Sequence, residues 1–347
     1  MNRFYVTAAI AVTLLAAGCQ KTYVVDPVNQ VIGFSTEVGK QTKAGIIQNG
    51  DSFDSESFGV VAYGLTEGKT WANGFAEKAL LIDNKEVKKS TGEGEDNKWR
   101  VVGNDKYYWP NDAQSSLSFF AYYPYQSSTI EDATKTIGQK PGVDENGITL
   151  TAYKHIQDNI QKVDFMTADA KDKTYSSTNN GVVSLNFSHR MTQICFDITK
   201  DASASGAEVK IISIKLLGIN NTADFSNSAF SNPSGNADYV VNEYSGEAGV
   251  VIEDTWKSTP CTMIPQTFAA DKQKIEIKYS LSGTGIVSET VTKTVNLSGL
   301  SDTHTKWDAG QKVTYKMTVG LKEITFDPEI IDWSTGTPEN PNEITIN

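Results

Sequence analysis

Three histidines (His155, His189, His304) and three cysteines (Cys19, Cys195, Cys261) are the side chains of this 347-residue sequence best suited to nucleophilic, acid–base or metal chemistry. Their spacing offers little. The histidines are scattered, with no Cys or second His at metal-ligand spacing. There is no zinc-protease helix motif, no Gly-flanked nucleophilic Ser and no phosphate-binding loop. Gly283 and Gly285 could open a dinucleotide fingerprint, but they read as a hairpin turn and lack the third Gly and the helix. Glu93, Glu95 and Asp96 could hold Ca²⁺ through oxygen ligands, and read more simply as a solvated acidic loop. His189, beside Arg190 at the end of a strand-like run, reads as a residue that caps or turns the strand. No catalytic residue, metal or cofactor is expected, and the chain is not read as an enzyme.

Cys19 is the exception. Asn2-Arg3 precedes an uncharged apolar stretch, Phe4 to Ala17, that is shorter than the roughly 20 residues needed to span a bilayer and fits a signal-peptide core. The stretch ends Leu15-Ala16-Ala17-Gly18-Cys19. Small residues before a Cys suit lipoprotein processing, in which the thiol is acylated (palmitate) and the chain is cut in front of it. Ala16 stands where Leu is usual, and Leu15 lies one position further back. The alternative is an ordinary secretory peptide with an incidental Cys. No second apolar run is long enough to cross a membrane, so the mature chain is expected to be held by lipid alone.

The formal net charge of −11 and only three arginines (Arg3, Arg100, Arg190) exclude a phosphate-neutralising patch, and nucleic acid is not expected as a partner. In an oxidising exterior Cys195 and Cys261 could pair. Period-two alternation puts Cys195 on the polar side of its strand, which argues against a core disulfide.

The elements that carry these residues are mostly strands. In Gln311 to Leu321, Val313, Tyr315, Met317, Val319 and Leu321 alternate with polar residues, as in a half-buried strand. Ile275, Ile277 and Tyr279 repeat the pattern before a Ser282-Gly283-Thr284-Gly285 turn into a strand around Thr290 to Leu297. Val183, Leu185 and Phe187, then Ile194, Phe196 and Ile198, do the same. Between Val209 and Leu216 the apolar phase slips at Ile211-Ile212, as a β-bulge would produce. Helical patterns are short: Phe75 to Leu81, and Tyr153 to Gln161. The aromatics between Tyr107 and Tyr125 are expected to build core, with Tyr125 and Trp71 the exceptions beside polar loops. The polar run Asp169 to Gly181 reads as a linker between two β-sandwich units. The expected organisation is a signal peptide (1–18), a lipidated linker (19–30), an N-terminal β-sandwich domain (31–178) and a C-terminal one (179–347).

Several segments taken in order resemble the bacterial fimbrillin family, the subunits of type V pili and their lipoprotein relatives. They are Val31-Ile32-Gly33-Phe34, Thr42-Lys43-Ala44, Phe58-Gly59-Val60-Val61-Ala62-Tyr63, Tyr107-Tyr108-Trp109-Pro110 and Leu117-Ser118-Phe119-Phe120-Ala121-Tyr122-Tyr123-Pro124. Further along come Asp164-Phe165-Met166-Thr167-Ala168, Leu185-Asn186-Phe187-Ser188-His189-Arg190, Ile264-Pro265-Gln266, Trp307-Asp308-Ala309-Gly310 and Ile331-Asp332-Trp333. The resemblance implies an all-β fold of two tandem transthyretin-like β-sandwich domains with few short helices. It also implies delivery to the outer membrane as a lipoprotein, proteolytic removal of the first strand, and replacement of that strand by one from a neighbouring subunit, a form of β-strand addition.

The residues can be set against that mechanism. Ile32, Phe34, Thr36 and Val38 share one face of a candidate removable strand, and Lys40 and Lys43 behind it are candidate cleavage positions, although Arg is the usual mark of the cut in the family. The same strand could equally stay in place as the first of the sandwich. At the other end a Gly/Pro/Asn-rich stretch leads to Glu343-Ile344-Thr345-Ile346-Asn347, where Ile344 and Ile346 could form a donor arm or a last strand tucked home. The expected function is a structural or adhesive pilus (fimbria) subunit assembled with other pilus subunits. The alternative is a permanently anchored surface lipoprotein, a pilus anchor or adhesin, that binds a glycan or host protein.

Overall fold

The computed structural model describes residues 30–38, 53, 56–90, 98–111, 115–127, 137–244, 249–301, 303–321 and 324–333. Among the described residues the fold is predominantly β, with one short helix between strands. In the first half the strands are Gly33–Val38 (β1), Ser57–Leu65 (β2), Ala79–Lys89 (β3), Trp99–Val101 (β4) and Ser116–Tyr123 (β5). A hairpin of Gly142–Asp144 (β6) and Gly147–Lys154 (β7) follows, then Met166–Lys173 (β8) and Val182–His189 (β9). Seven of these close into a barrel in the order β1-β4-β3-β2-β5-β8-β9, and the β1–β9 pair completes the ring.

β5 shows why the ring forms where it does. All eight residues, Ser116–Tyr123, are buried. Leu117, Phe119, Ala121 and Tyr123 point into the barrel core, while Phe120 and Tyr122 point outward into a second cluster. A strand covered on both faces reads as a continuous apolar run rather than an alternation, which is how the aromatic cluster appears in the sequence.

The second half runs Thr192–Lys200 (β10), Glu208–Ile219 (β11), Thr222–Ser226 (β12), Ala229–Ser234 (β13), Ala237–Glu243 (β14), Val250–Val251 (β15), Thr255–Lys257 (β16) and Cys261–Met263 (β17). It continues with Gln266–Thr267 (β18), Lys274–Gly283 (β19), Ile286–Asn296 (β20), Lys306–Trp307 (β21), Gln311–Val319 (β22) and Ile324–Asp332 (β23). One sheet has the order β16-β10-β22-β23 and another β14-β11-β19-β20. Ile194, Phe196 and Ile198 of the first face Val209, Ile211, Ile277 and Tyr279 of the second across a common core. The predicted bulge is present: the β11–β19 register shifts between Ile211 and Ser213. It returns Ile214 and Leu216 to the core side after the Ile211-Ile212 slip.

The halves are joined by more than the chain. The β6–β7 hairpin leaves the barrel and pairs with β12, giving a sheet β13-β12-β7-β6 built from both halves. Beneath it, Leu65, Trp71, Phe120 and Tyr122 pack with Ala223, Phe225 and Ile264. The buried His155 lies at this junction; its Nε2 is 2.8 Å from the Thr262 carbonyl oxygen, and the His155 main-chain carbonyl accepts from the Tyr239 hydroxyl at 2.7 Å.

Three expectations change. Asp169–Lys173, read as linker on composition, is the second half of β8, held by pairing with β5 (Phe120↔Asp169, Leu117↔Lys173). Main-chain hydrogen bonds need no apolar side chain, so a polar run can complete a barrel. β9, which follows it, pairs with β8 and β1. The helix, Trp71–Gly74 (α1) with a 3₁₀ turn at Phe75–Glu77, starts earlier than the Phe75 to Leu81 pattern suggests, because Ala79 already begins β3. Tyr153 and Lys154 end β7, leaving only a 3₁₀ turn at Gln157–Asn159 in the second helical pattern.

Candidate assembly site: the β1 seam

The sequence of β1 alternates, and the strand is laid down accordingly. Ile32, Phe34 and Val38 are buried, Thr36 is half-buried, and Ser35 and Glu37 are exposed. The Phe34 ring meets Phe119 and Phe58 edge-on at centroid distances of 5.8 and 6.2 Å. Around them, Phe53 lies within 5.3 Å of the rings of Trp99, Tyr123 and Phe187, so the barrel core is largely aromatic. Burying the three apolar side chains of this strand is worth about 1.5–3 kcal/mol each.

The two edges of β1 differ. On one side it runs parallel to β9 in register for its whole length, Gly33↔Val182 through Val38↔Phe187. On the other, the pair recorded among the described residues is Phe34↔Trp99 with β4. Just before it, Ile32 N–H donates to the Tyr107 carbonyl at 2.8 Å and Trp109 N–H to the Gln30 carbonyl at 3.1 Å. A cavity of about 320 Å³ opens beside this edge, lined by Val31, Ile32, Phe34, Ile82, Arg100 and Tyr107 among others. β1 is therefore a well-buried strand with one continuous ladder, to β9, and a cavity beside its other edge. Phe58, Phe119 and Val183 share its core cluster.

Cys19, Lys40, Lys43, Ile344 and Ile346 lie outside the described residues, as do Glu93, Glu95 and Asp96. Of the sequence candidates, the structure brings together Ile32, Phe34 and Val38. The pocket residues that receive them, Phe58, Trp99, Phe119 and Phe187, were legible only as core positions. Nothing local in the sequence signals that β9, some 150 residues on, is the partner of β1.

The remaining chemical candidates are structural. Burial pushes His155 down to about 4, and it is neutral at pH 7 with Nδ1 3.0 Å from the Tyr153 hydroxyl. Burial likewise pushes His304 down to about 4; its Nε2 lies 2.8 Å from the Tyr315 hydroxyl, which also accepts from the Trp307 indole N–H. His189 does not cap an exposed turn. Its Nδ1 is 2.9 Å from Asp164 Oδ2, and its ring stacks on Trp333 at 4.0 Å. That stack ties the end of β9 to the residue after β23.

Cys195 and Cys261 are free and buried. Cys261 pairs opposite Ile194 and shares its face, so Cys195 projects from the other face. That face is also covered, because the segment around Val163 packs there and accepts a bond from Thr262 Oγ1 at 2.7 Å. Burial raises the Cys195 thiol to about 11 and also raises that of Cys261, so neither is a reactive thiolate. Trp71, expected at the surface, is buried against Phe120 (centroids 4.6 Å), with its indole N–H donating to the Glu145 carbonyl at 2.7 Å. Tyr125 is half-buried. Among the described residues no group of His, Cys, Asp and Glu could hold a metal ion, and no helix is long and apolar enough to cross a membrane.

The sequence profile of the fimbrillin-like family matches residues 42–333. The chain belongs to the fimbrillin-like family. The family is a non-enzymatic adhesin class, and membership supports a structural or adhesive fimbrial role and a location at the outer membrane or cell surface. Among solved structures, this family member is similar to a fimbrial protein from Bacteroides vulgatus, at 19% identity and a TM-score of 0.60, over 88% of this chain and 100% of that one. It is also similar to candidate cell adhesion proteins from Bacteroides ovatus (18% identity, TM-score 0.53, 87% of this chain and 97% of that one) and Bacteroides uniformis (15%, 0.53, 89% and 100%). At these identities the likeness concerns the fold alone. No curated protein matches the chain.

Proposed function

We propose that this fimbrillin-like protein is a fimbrial subunit, exported as a lipoprotein on Cys19 and assembled by β-strand exchange. In this reading the halves are tandem transthyretin-like units. Cleavage at Lys40 or Lys43 releases the segment that holds Ile32, Phe34 and Val38, and the groove between β9 and β4 takes a strand from a neighbouring subunit. The C-terminal segment with Ile344 and Ile346 is the donor. The observation that carries the reading is that β1 combines a full parallel ladder to β9 with deep apolar side chains. A donor strand needs that combination, because main-chain bonds supply affinity and alternate pockets supply register.

Mass spectrometry of the N-terminus in sheared surface material tests it. A start at Gln41 or Ala44 means that lipid and first strand are gone, as exchange requires. An acylated Cys19 as the only N-terminus would instead make the chain a permanently anchored lipoprotein and overturn the exchange mechanism for this subunit.

A further inference from the structure

Among the described residues β20 is the edge of its sheet and pairs with β19 alone. It is eleven residues long, Ile286–Asn296, and exposes Ser288, Glu289, Thr290, Thr292, Lys293 and Thr294. Val287, at 84%, is the most exposed large hydrophobic residue among those described. A long edge rich in Thr and Val offers a row of unpaired main-chain groups to another strand. Natural edges are usually blunted by a charge, and Lys293 alone would do that. Glu289, four residues earlier on the same face, changes the outcome.

We propose that β20 pairs antiparallel with β20 of a second copy of this chain, about a two-fold axis through Val291. In that register Glu289 faces Lys293 of the second copy and Lys293 faces its Glu289, giving two cross-strand pairs of opposite charge. Neither side chain has an ion-pair partner among the described residues. Val287 meets Val295, and Thr290 meets Thr292, both favourable cross-strand pairings. A shift of the axis by one residue in either direction sets both charges against valines. Centring on Glu289 or on Lys293 brings like charges together. The strand thus has one self-complementary register, and a two-fold edge pairing of this kind closes at a dimer. The inference does not use β1 or the barrel seam, and stands whether or not strand exchange occurs.

The test uses the full-length chain in detergent with its N-terminus intact, so that β1 exchange contributes nothing. Sedimentation is expected to show a dimer. Glu289→Lys or Lys293→Glu alone turns two attractive pairs into two repulsive ones and should weaken self-association by about tenfold or more. Mixing those two variants should restore a heterodimer, because every charge then meets its opposite, and the double variant should dimerise like the wild type. Val291→Cys should cross-link readily, since opposed Cα atoms lie about 4.5–5.5 Å apart, within disulfide range. Thr294→Cys should not, because its two copies are roughly 20 Å apart along the ladder. A monomer at the highest attainable concentration, association indifferent to the charge reversals, or equal cross-linking at both positions would each overturn the proposal.

Discussion

Each half of the molecule contains one parallel strand pair among antiparallel neighbours, and the two pairs are built for different ends. In the C-terminal half β10 and β22 run parallel over Gln193↔Lys312 through Lys200↔Val319, and β22 is held on its other side by an unbroken antiparallel ladder from Gln311↔Asp332 to Val319↔Ile324. In the N-terminal half β1 has a comparable ladder to β9, and among the described residues meets β4 at Phe34↔Trp99, with a cavity beside that edge. The first parallel strand is locked inside a sheet. The second is a closure, and its apolar side chains are buried in the barrel core.

The largest test of that contrast is truncation of one deeply buried side chain in each. Phe34→Ala should cost about 3–5 kcal/mol and Met317→Ala about 2–5 kcal/mol, both read from denaturant unfolding. Only Phe34→Ala should also make residues 30–38 open to limited proteolysis under native conditions. Equal protection in both variants would remove the distinction between closure and locked strand.

Acid should act on the junction and the second half through His155 and His304. Their folded values near 4 lie below the ordinary 6.5, so the unfolded chain binds more protons between these limits. Stability is then full above about pH 6.5 and falls as pH drops toward 4, by up to roughly 3 kcal/mol per group. Urea midpoints measured from pH 7 to 4.5 check this; a His155→Gln variant should show a shallower dependence, and an unchanged slope would mean that His155 is not a source of it.

Two glycines on the barrel strands sharpen the picture. A Cβ at Gly59 would fall 2.3 Å from the Tyr122 ring, a rigid group hydrogen-bonded to Asn84, so Gly59→Ala should cost about 1–3 kcal/mol. At Gly33 the Cβ would fall closer still, 1.8 Å from Arg100 Nη1, but that atom ends a flexible side chain at the cavity. Gly33→Ala should therefore cost under about 1 kcal/mol by thermal unfolding. A larger loss at Gly33 than at Gly59 would show that the Arg100 edge of β1 is rigid despite the cavity beside it.

Alternation made β1, β9, β19 and β22 legible, and the Ile211-Ile212 slip located a bulge, because the period of two is enforced residue by residue wherever one face is wet. Trp71 and Cys195 were misplaced for the opposite reason. Each sits in a polar neighbourhood of the chain and is nevertheless buried, Trp71 against Phe120, which is remote in sequence. Asp169–Lys173 shows the same effect in the backbone, since a polar run became a barrel strand by pairing with β5.

By itself the sequence determined the all-β class, the individual strands, the apolar face of β1 and membership of the fimbrillin-like family. All of these are written in local periodicity or in short ordered motifs. Only the tertiary structure decided that β9 closes the barrel on β1, that β6 and β7 join the halves through β12, and that a cavity lies beside the other edge of β1. Pairing between strands depends on which main-chain edges meet across some 150 residues, and every backbone carries the same donors and acceptors, so no local pattern records it.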